Sequence, residues 1–220
     1  MKFISSIPLC LLLLLALPGA NAQNVTNHEV EPTGVYKEIS ANIKGDFNVA
    51  ALLSDTLNMD KTKLIDSVKR NANHFIPPVL YILSAVLYRD HKYSEAAYWF
   101  YVAQLRARYD VNRCTDKTAS AGAFNENFGP PINEYAFKNL DTLQTIITNV
   151  VAYVRANQEL YEQRWINLEG MQAMTEGLGG KSSDQPLSAD KKEWEAIKKK
   201  TIDSYFSDFK EALARQKKAH

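Results

Sequence analysis

Residues 77–110 read PPVLYILSAVLYRDHKYSEAAYWFYVAQLRARYD, and this stretch decides the fold. Pro77 and Pro78 suit the first turn of a helix, where a backbone N–H has no helical partner, and residues 79–88 are then strongly apolar. A polar turn over 89–92 precedes a second helix over 93–109. Two helices joined by about four residues run antiparallel. The sequence therefore predicts a helical hairpin.

This hairpin resembles a single tetratricopeptide repeat, or its relative the Sel-type repeat found in many bacterial proteins. The resemblance covers roughly 34 residues. It rests on Leu83-Ser84 and Leu87 in the first helix and on the large-small ladder of the second, namely Tyr93, Ala96, Phe100 and Ala103. Such repeats bury their faces against neighbouring copies, and the chain holds no second good copy. We expect an all-α fold, a compact helical bundle that contains one tetratricopeptide-like hairpin.

The remaining helices follow from apolar residues at helical spacing. Two short helices are expected after Phe47, a central helix over 140–154, a helix over 159–174 and a C-terminal helix with one apolar stripe. This stripe packs back on the body or binds a partner. The predicted organisation is a flexible segment over 23–45, a helical core domain over 46–176, a linker over 177–187 and the C-terminal helix over 188–220.

Residues 111–131 are rich in Asn, Asp, Thr, Ser and Gly and end in Pro130-Pro131. They show no sustained apolar period, so they are predicted to form a long ordered loop anchored by Phe124 and Phe128, with a short helix over 132–137. A loop of this length inside a compact domain is typical of a functional segment.

The first 22 residues have the pattern of a cleavable signal peptide. Lys2 is followed by an apolar run over 3–17 and by Ala20-Asn21-Ala22, which suits a cleavage site. A membrane anchor is the alternative, but the run is shorter than the roughly 20 residues that span a bilayer. We therefore expect cleavage near Ala22 and a periplasmic or secreted protein without a stable membrane anchor.

Charge and cysteine content limit the possible functions. The chain has 26 basic and 25 acidic residues, and removal of residues 1–22 takes away Lys2 but no acid. A balanced charge argues against nucleic acid as a partner. Cys10 leaves with the signal peptide, so Cys114 has no partner for an intramolecular disulfide and is expected to be a small buried side chain.

Polar functional groups are most concentrated at the end of the second hairpin helix. Arginines and aspartates in such a cluster grip carboxylates, phosphates or a protein partner. The predicted partner-binding residues are Arg106, Arg108, Tyr109, Asp110, Arg113 and Asp116. The alternative interpretation is an internal salt-bridge network that pins the long loop to the helix.

The sequence gives no support for catalysis. His74, His91, Cys114 and Asp116 lack the spacing of a metal site, and we find no Gly-rich phosphate loop, serine elbow or zinc-protease motif. We expect no metal, no cofactor and no enzymatic activity. An enzyme that acts on peptidoglycan or lipid through Arg106 or Asp110 is the least favoured class.

The chain is also similar to small exported proteobacterial proteins, over residues 99–110 and 164–168. Some helical exported proteins of this kind are immunity partners of antibacterial toxins. This resemblance implies a periplasmic immunity protein that binds and neutralises a cognate toxin. The alternative is a periplasmic scaffold or chaperone-like module that binds envelope proteins. The sequence identifies neither the partner nor the oligomeric state.

Overall fold

The computed structural model describes residues 30–56, 60–181 and 184–219, and within these ranges the chain is mainly helical. The all-α prediction is confirmed. The predicted signal peptide, residues 1–22, lies outside the described residues. The helices are α1 (Gly34–Asn42), α2 (Lys44–Ser54), α3 (Thr62–Arg70), α4 (Pro77–Arg89), α5 (Tyr93–Arg113), α6 (Gly122–Ala136), α7 (Leu140–Ala156), α8 (Met171–Gly177) and α9 (Trp194–Ala219).

Helices α4 and α5 form the predicted hairpin, with Pro77 and Pro78 in the first turn of α4. The connection is only three residues long, and His91 within it has a left-handed φ of 59°. The backbone N–H of Lys92 donates to the carbonyl of Leu87 at 2.9 Å and closes the turn. Apolar side chains on both helices are fully buried, so the hairpin forms the centre of the core.

Helix α5 packs against α4, α6, α7 and α9, and α9 lies antiparallel to it. Three contacts define this direction: Asn112 with Thr201, Gln104 with Tyr205, and the Tyr101 ring with the Phe209 ring. The C-terminal helix therefore packs on the body. Packing on the body was one of the two alternatives that the sequence left open. Its last turns run towards the end of the bundle that holds the α4–α5 turn.

The prediction of a long loop over 111–131 is wrong. Helix α5 continues to Arg113 and α6 begins at Gly122, so the connection is short. Phe124, Phe128 and Ile132 repeat every four residues and give α6 a single inward face. Pro130 and Pro131 remove two helical N–H donors, but residues 126 and 127, whose carbonyls lose them, are exposed to water. Phe137 follows α6 instead of belonging to a separate short helix.

Residues 157–169, here called the strap, also differ from the prediction of one helix over 159–174. The strap runs in an extended path from the end of α7, forms a 3₁₀ turn at Gln163–Glu169 and leads into the short helix α8. Its backbone is tied to distant parts of the chain, since Leu160 N donates to the carbonyl of Asn73 at 2.8 Å. These long-range bonds replace the local bonds of a helix.

The described part of the segment 23–45 contains helix α1. Tyr36 and Ile39 of α1 are buried with Ala173 of α8 in a small second cluster beside the main core. Where the sequence predicted flexibility, the structure therefore has a packed helix. Among the residues that the structure describes, we find no helix with the length and apolarity needed to cross a bilayer.

Candidate functional site

Most of the predicted partner-binding residues lie inside the protein. Arg106, Asp110 and Arg113 are 0–1 % exposed, and Tyr109 and Asp116 are also buried. Arg108 is different, because its side chain is 44 % exposed and lies 3.3 Å from the Asp208 carboxylate of α9. In this conformation, Arg108 is the member of the set that reaches the surface.

Asp110 is the centre of a buried polar network. Its Oδ2 atom accepts hydrogen bonds from the Tyr161 hydroxyl at 2.9 Å and from the Trp165 indole N–H at 2.8 Å. Its Oδ1 atom accepts one from Arg113 at 3.2 Å. Burial raises the pKa of Asp110 to about 6, although Arg113 and the two strap donors oppose this shift. The carboxylate thus joins α5 to the strap.

Arg113 extends this network to the segment before α9. Its guanidinium donates to the carbonyl of Gln163 at 2.6 Å and to the Ser188 hydroxyl at 3.1 Å, and it lies 4.3 Å from the centre of the Trp194 ring. Backbone bonds run alongside, with Ala189 N donating to the carbonyl of Arg113 at 2.8 Å. The internal network of the alternative interpretation therefore exists. It pins the strap and residues 186–194 to α5, not a loop over 111–131.

Arg106 lies about two turns before Arg113 on α5 and has its own set of contacts. It donates to the carbonyl of Ala72 at 2.8 Å and to the side chain of Asn73, and it lies 5.3 Å from the centre of the Tyr153 ring. No carboxylate of the described residues lies within ion-pair distance of Arg106. The Nε atoms of Arg106 and Arg113 have no hydrogen-bond partner among the described residues, so each buried guanidinium keeps one unsatisfied N–H donor.

Asp116 organises the short loop after α5. Its oxygens accept hydrogen bonds from Thr118 and from the backbone N–H of Gln172 at 3.0 Å. Partial burial raises the pKa of this carboxyl, but the hydrogen bonds outweigh it and the net shift is downward. Gly170 is needed here, since a Cβ at this position would lie 2.2 Å from the Asp116 carboxylate.

Cys114 and the possible metal ligands form no reactive centre in the structure. The Cys114 thiol donates to the side chain of Asn167 at 3.2 Å, and burial raises its pKa, which favours the thiol over the nucleophilic thiolate. Across the described ranges, no three His, Cys, Asp or Glu side chains converge in a geometry that could hold a metal ion.

A different group of side chains reaches the surface, wholly or in part, at the end of the bundle that holds the α4–α5 turn. We call this group the turn-end surface: Tyr88, His91, Tyr93, Tyr135 and Phe137. The Tyr93 ring lies 4.9 Å from that of Tyr88, 5.7 Å from that of His91 and 5.1 Å from that of Tyr135. Phe137 is 42 % exposed and His91 is exposed, while the three tyrosines are half-buried.

Polar contacts hold these rings in position. The imidazole Nδ1 of His91 lies 2.7 Å from the Tyr93 hydroxyl, and the Tyr135 hydroxyl lies 2.8 Å from that of Ser94. The sequence analysis did not identify this surface. His91 and Tyr93 stand together in the turn, but the approach of Tyr135 is a tertiary contact that one sequence does not reveal.

Two exposed basic residues lie at the α4–α5 turn. Arg89 ends α4, Lys92 precedes the first residue of α5, and both side chains are exposed. Neither makes an ion pair with any described residue. Lys217, near the end of α9, bonds Asp141 in the first turn of α7 at 2.6 Å and so joins these two helix ends.

Comparison of the chain with protein-family models, curated proteins and solved structures gives no match.

Proposed function

We propose that this protein is an exported protein-binding domain, and more specifically a periplasmic immunity protein that neutralises an antibacterial toxin. The observation that supports protein binding is the aromatic cluster of the turn-end surface, in which three half-buried tyrosine rings lie beside the exposed His91 and Phe137. Export and a toxin as the partner rest on the predicted signal peptide over 1–22 and on the resemblance to exported immunity proteins.

The turn-end surface has the composition of a protein-binding site. Tyrosine is enriched among the residues that dominate binding energy, because it offers a large contact area at a low cost in side-chain entropy. The rings of Tyr88, Tyr93 and Tyr135 already contact one another, so little ordering is needed on binding. Phe137 adds an exposed apolar ring, and the tyrosine and His91 side chains add hydrogen-bonding groups.

This proposal moves the partner-binding surface away from the residues that the sequence indicated. Asp110 and Arg113 are fully buried and engaged with the strap. For a partner to reach these two side chains, the strap would have to leave α5. The Asp110 and Arg113 charges would then lose the hydrogen-bond partners that the strap supplies. We therefore assign them to holding the fold, and assign binding to the turn-end surface.

The experiment tests protection of living cells. The product of the gene adjacent to the one for this protein is directed to the periplasm of a host, with or without the full chain. We expect the host to die without the chain and to survive with it. Tyr135→Ala should abolish protection while the protein still folds, as judged by circular dichroism. The matched control is Lys200→Glu, because Lys200 is exposed on the first turns of α9 at the opposite end of the bundle.

Two results would reject the proposal. One is equal survival with and without the chain when the adjacent gene product is present. The other is death in both cases with the wild-type chain demonstrably in the periplasm. If the main product recovered with the chain is a secretion or envelope component, the scaffold or chaperone-like function replaces immunity.

A further inference from the structure

The charges of the turn-end surface indicate the chemistry of its partner. The whole chain is nearly neutral, with 26 basic and 25 acidic residues, so a local excess of one sign is informative. Most acids at this end already have a cation: Glu134 pairs with Lys138 at 3.2 Å and Asp141 with Lys217 at 2.6 Å. Glu95 likewise pairs with Lys69 at 2.5 Å.

Two cations remain beside the rings without such compensation. Arg89 is the last residue of α4 and Lys92 is the last residue of the three-residue turn, and both side chains are exposed, as is that of His91. Asp90 is the single acid of residues 89–92, so this stretch of two cations and one acid carries a formal net charge of +1. In addition, no side chain caps the first turn of α5, where the positive end of the helix dipole lies, although Glu95 stands in the same turn.

We infer that the turn-end surface binds an acidic segment of a protein partner, in which carboxylates pair with Arg89 and Lys92 and an apolar side chain packs on Tyr93 and Tyr135. This inference rests on the proposed protein-binding function and adds the chemistry of the partner. Carboxylates suit the two cations and the uncapped helix start, and the aromatic rings suit an apolar side chain between the carboxylates. The phosphates of a nucleic acid could also pair with Arg89 and Lys92, so the test includes a single-stranded DNA oligonucleotide as a competitor.

The test is a selection from a random displayed-peptide library on the purified mature chain. We expect the enriched peptides to be rich in Asp and Glu and to contain at least one large apolar residue. The double variant Arg89→Glu with Lys92→Glu should bind a selected peptide at least about tenfold more weakly, and binding should fall with rising salt. Tyr93→Ala, which changes no charge, should also weaken it.

A charge-matched control separates local from general electrostatics. Lys63→Glu with Lys200→Glu changes the net charge by the same amount at exposed sites on α3 and on the first turns of α9. This control should bind the selected peptide as the wild type does. Equal weakening in both double variants would overturn the inference, as would enrichment of basic or uncharged peptides, or displacement of the peptide by a single-stranded DNA oligonucleotide.

The outcome is distinguishable from failure of the proposed function. Acidic peptides that bind through Arg89 and Lys92 support the inference even if no toxin is neutralised. Conversely, if the Arg89→Glu and Lys92→Glu double variant still protects cells from the toxin, the immunity function stands and the acidic-partner inference is wrong.

Discussion

The ring of Tyr93, the first residue of α5, lies 5.1 Å from the ring of Tyr135, near the end of α6. The Ser94 and Tyr135 hydroxyls also form a hydrogen bond at 2.8 Å. These two contacts join the hairpin turn to the end of α6, the helix that follows α5 in the chain. The turn-end surface is therefore a composite of two separate stretches. It exists only when α6 is folded and packed on the hairpin.

The first prediction concerns this ring pair. A double-mutant cycle with Tyr93→Ala and Tyr135→Ala should give a coupling free energy of about 0.5–1.5 kcal/mol in denaturant unfolding, as expected for contacting aromatic rings. A second cycle that pairs Tyr93→Ala with Arg108→Ala, on the later turns of α5, should be additive. Additivity in the Tyr93 and Tyr135 cycle would show that the rings do not contact in solution.

The second prediction concerns the buried network. Asp110→Ala should destabilise the fold by about 3–5 kcal/mol, because it leaves Arg113 buried without a counter-charge. Asp208→Ala, which removes the acid of the exposed pair with Arg108, should cost less than about 1 kcal/mol. Urea unfolding of both variants measures these values. A loss for Asp110→Ala as small as that for Asp208→Ala would contradict the assigned role of Asp110.

The third prediction concerns pH. Burial raises the pKa of Glu169 to about 7, and that of Asp110 to about 6, so the folded state binds protons more tightly than the unfolded state does. Stability should therefore fall as the pH rises from 5 to 8. Glu169→Gln cannot ionise, so it should flatten this slope and exceed the wild type at pH 8 by about 1–3 kcal/mol. Thermal and urea unfolding across this range measure the effect, and a slope in Glu169→Gln equal to that of the wild type would contradict the raised pKa of Glu169.

The fourth prediction compares two glycines. Gly170→Ala should destabilise the protein by about 1–3 kcal/mol, since the new Cβ would collide with the Asp116 carboxylate. Gly45 lies in the first turn of α2 and has open space around it, so Gly45→Ala should stabilise by up to about 1 kcal/mol. Melting temperatures of the two variants test both signs. A neutral Gly170→Ala would show that the loop at Asp116 can move aside.

The sequence predicted the parts of the fold that depend on local pattern. The apolar run before the polar turn is sufficient to predict the α4–α5 hairpin. The stripe of α9 is sufficient to predict a helix with one apolar face, but not whether that face packs on the body or on a partner. Helix α6 is not predicted, because residues 111–131 show no sustained apolar period and end in Pro130-Pro131. The structure tolerates these prolines because the carbonyls that lose their hydrogen bonds face water. The strap was misread because Tyr161 and Trp165 have helical spacing, yet both side chains bond Asp110 from a non-helical backbone.

The candidate site was harder to predict for a related reason. A cluster of Arg and Asp at a helix end is compatible with an exposed binding site or with a buried hydrogen-bond network. Which of the two it forms depends on whether another segment of the chain covers it. The strap that covers Asp110 comes from about fifty residues further along the chain. The turn-end surface also depends on a long-range contact, that of Tyr93 with Tyr135, and no local pattern indicates it.

Hydrogen exchange of the purified chain, alone and with the adjacent gene product bound, tests the central claim most directly. If the turn-end surface binds the partner, backbone amides over 88–95 and 134–139 should exchange more slowly in the complex. Amides over 157–169 and 186–194, which belong to the network around Asp110, should exchange at the same rate in both samples. Slower exchange confined to 157–169 and 186–194, with 88–95 and 134–139 unchanged, would contradict the account.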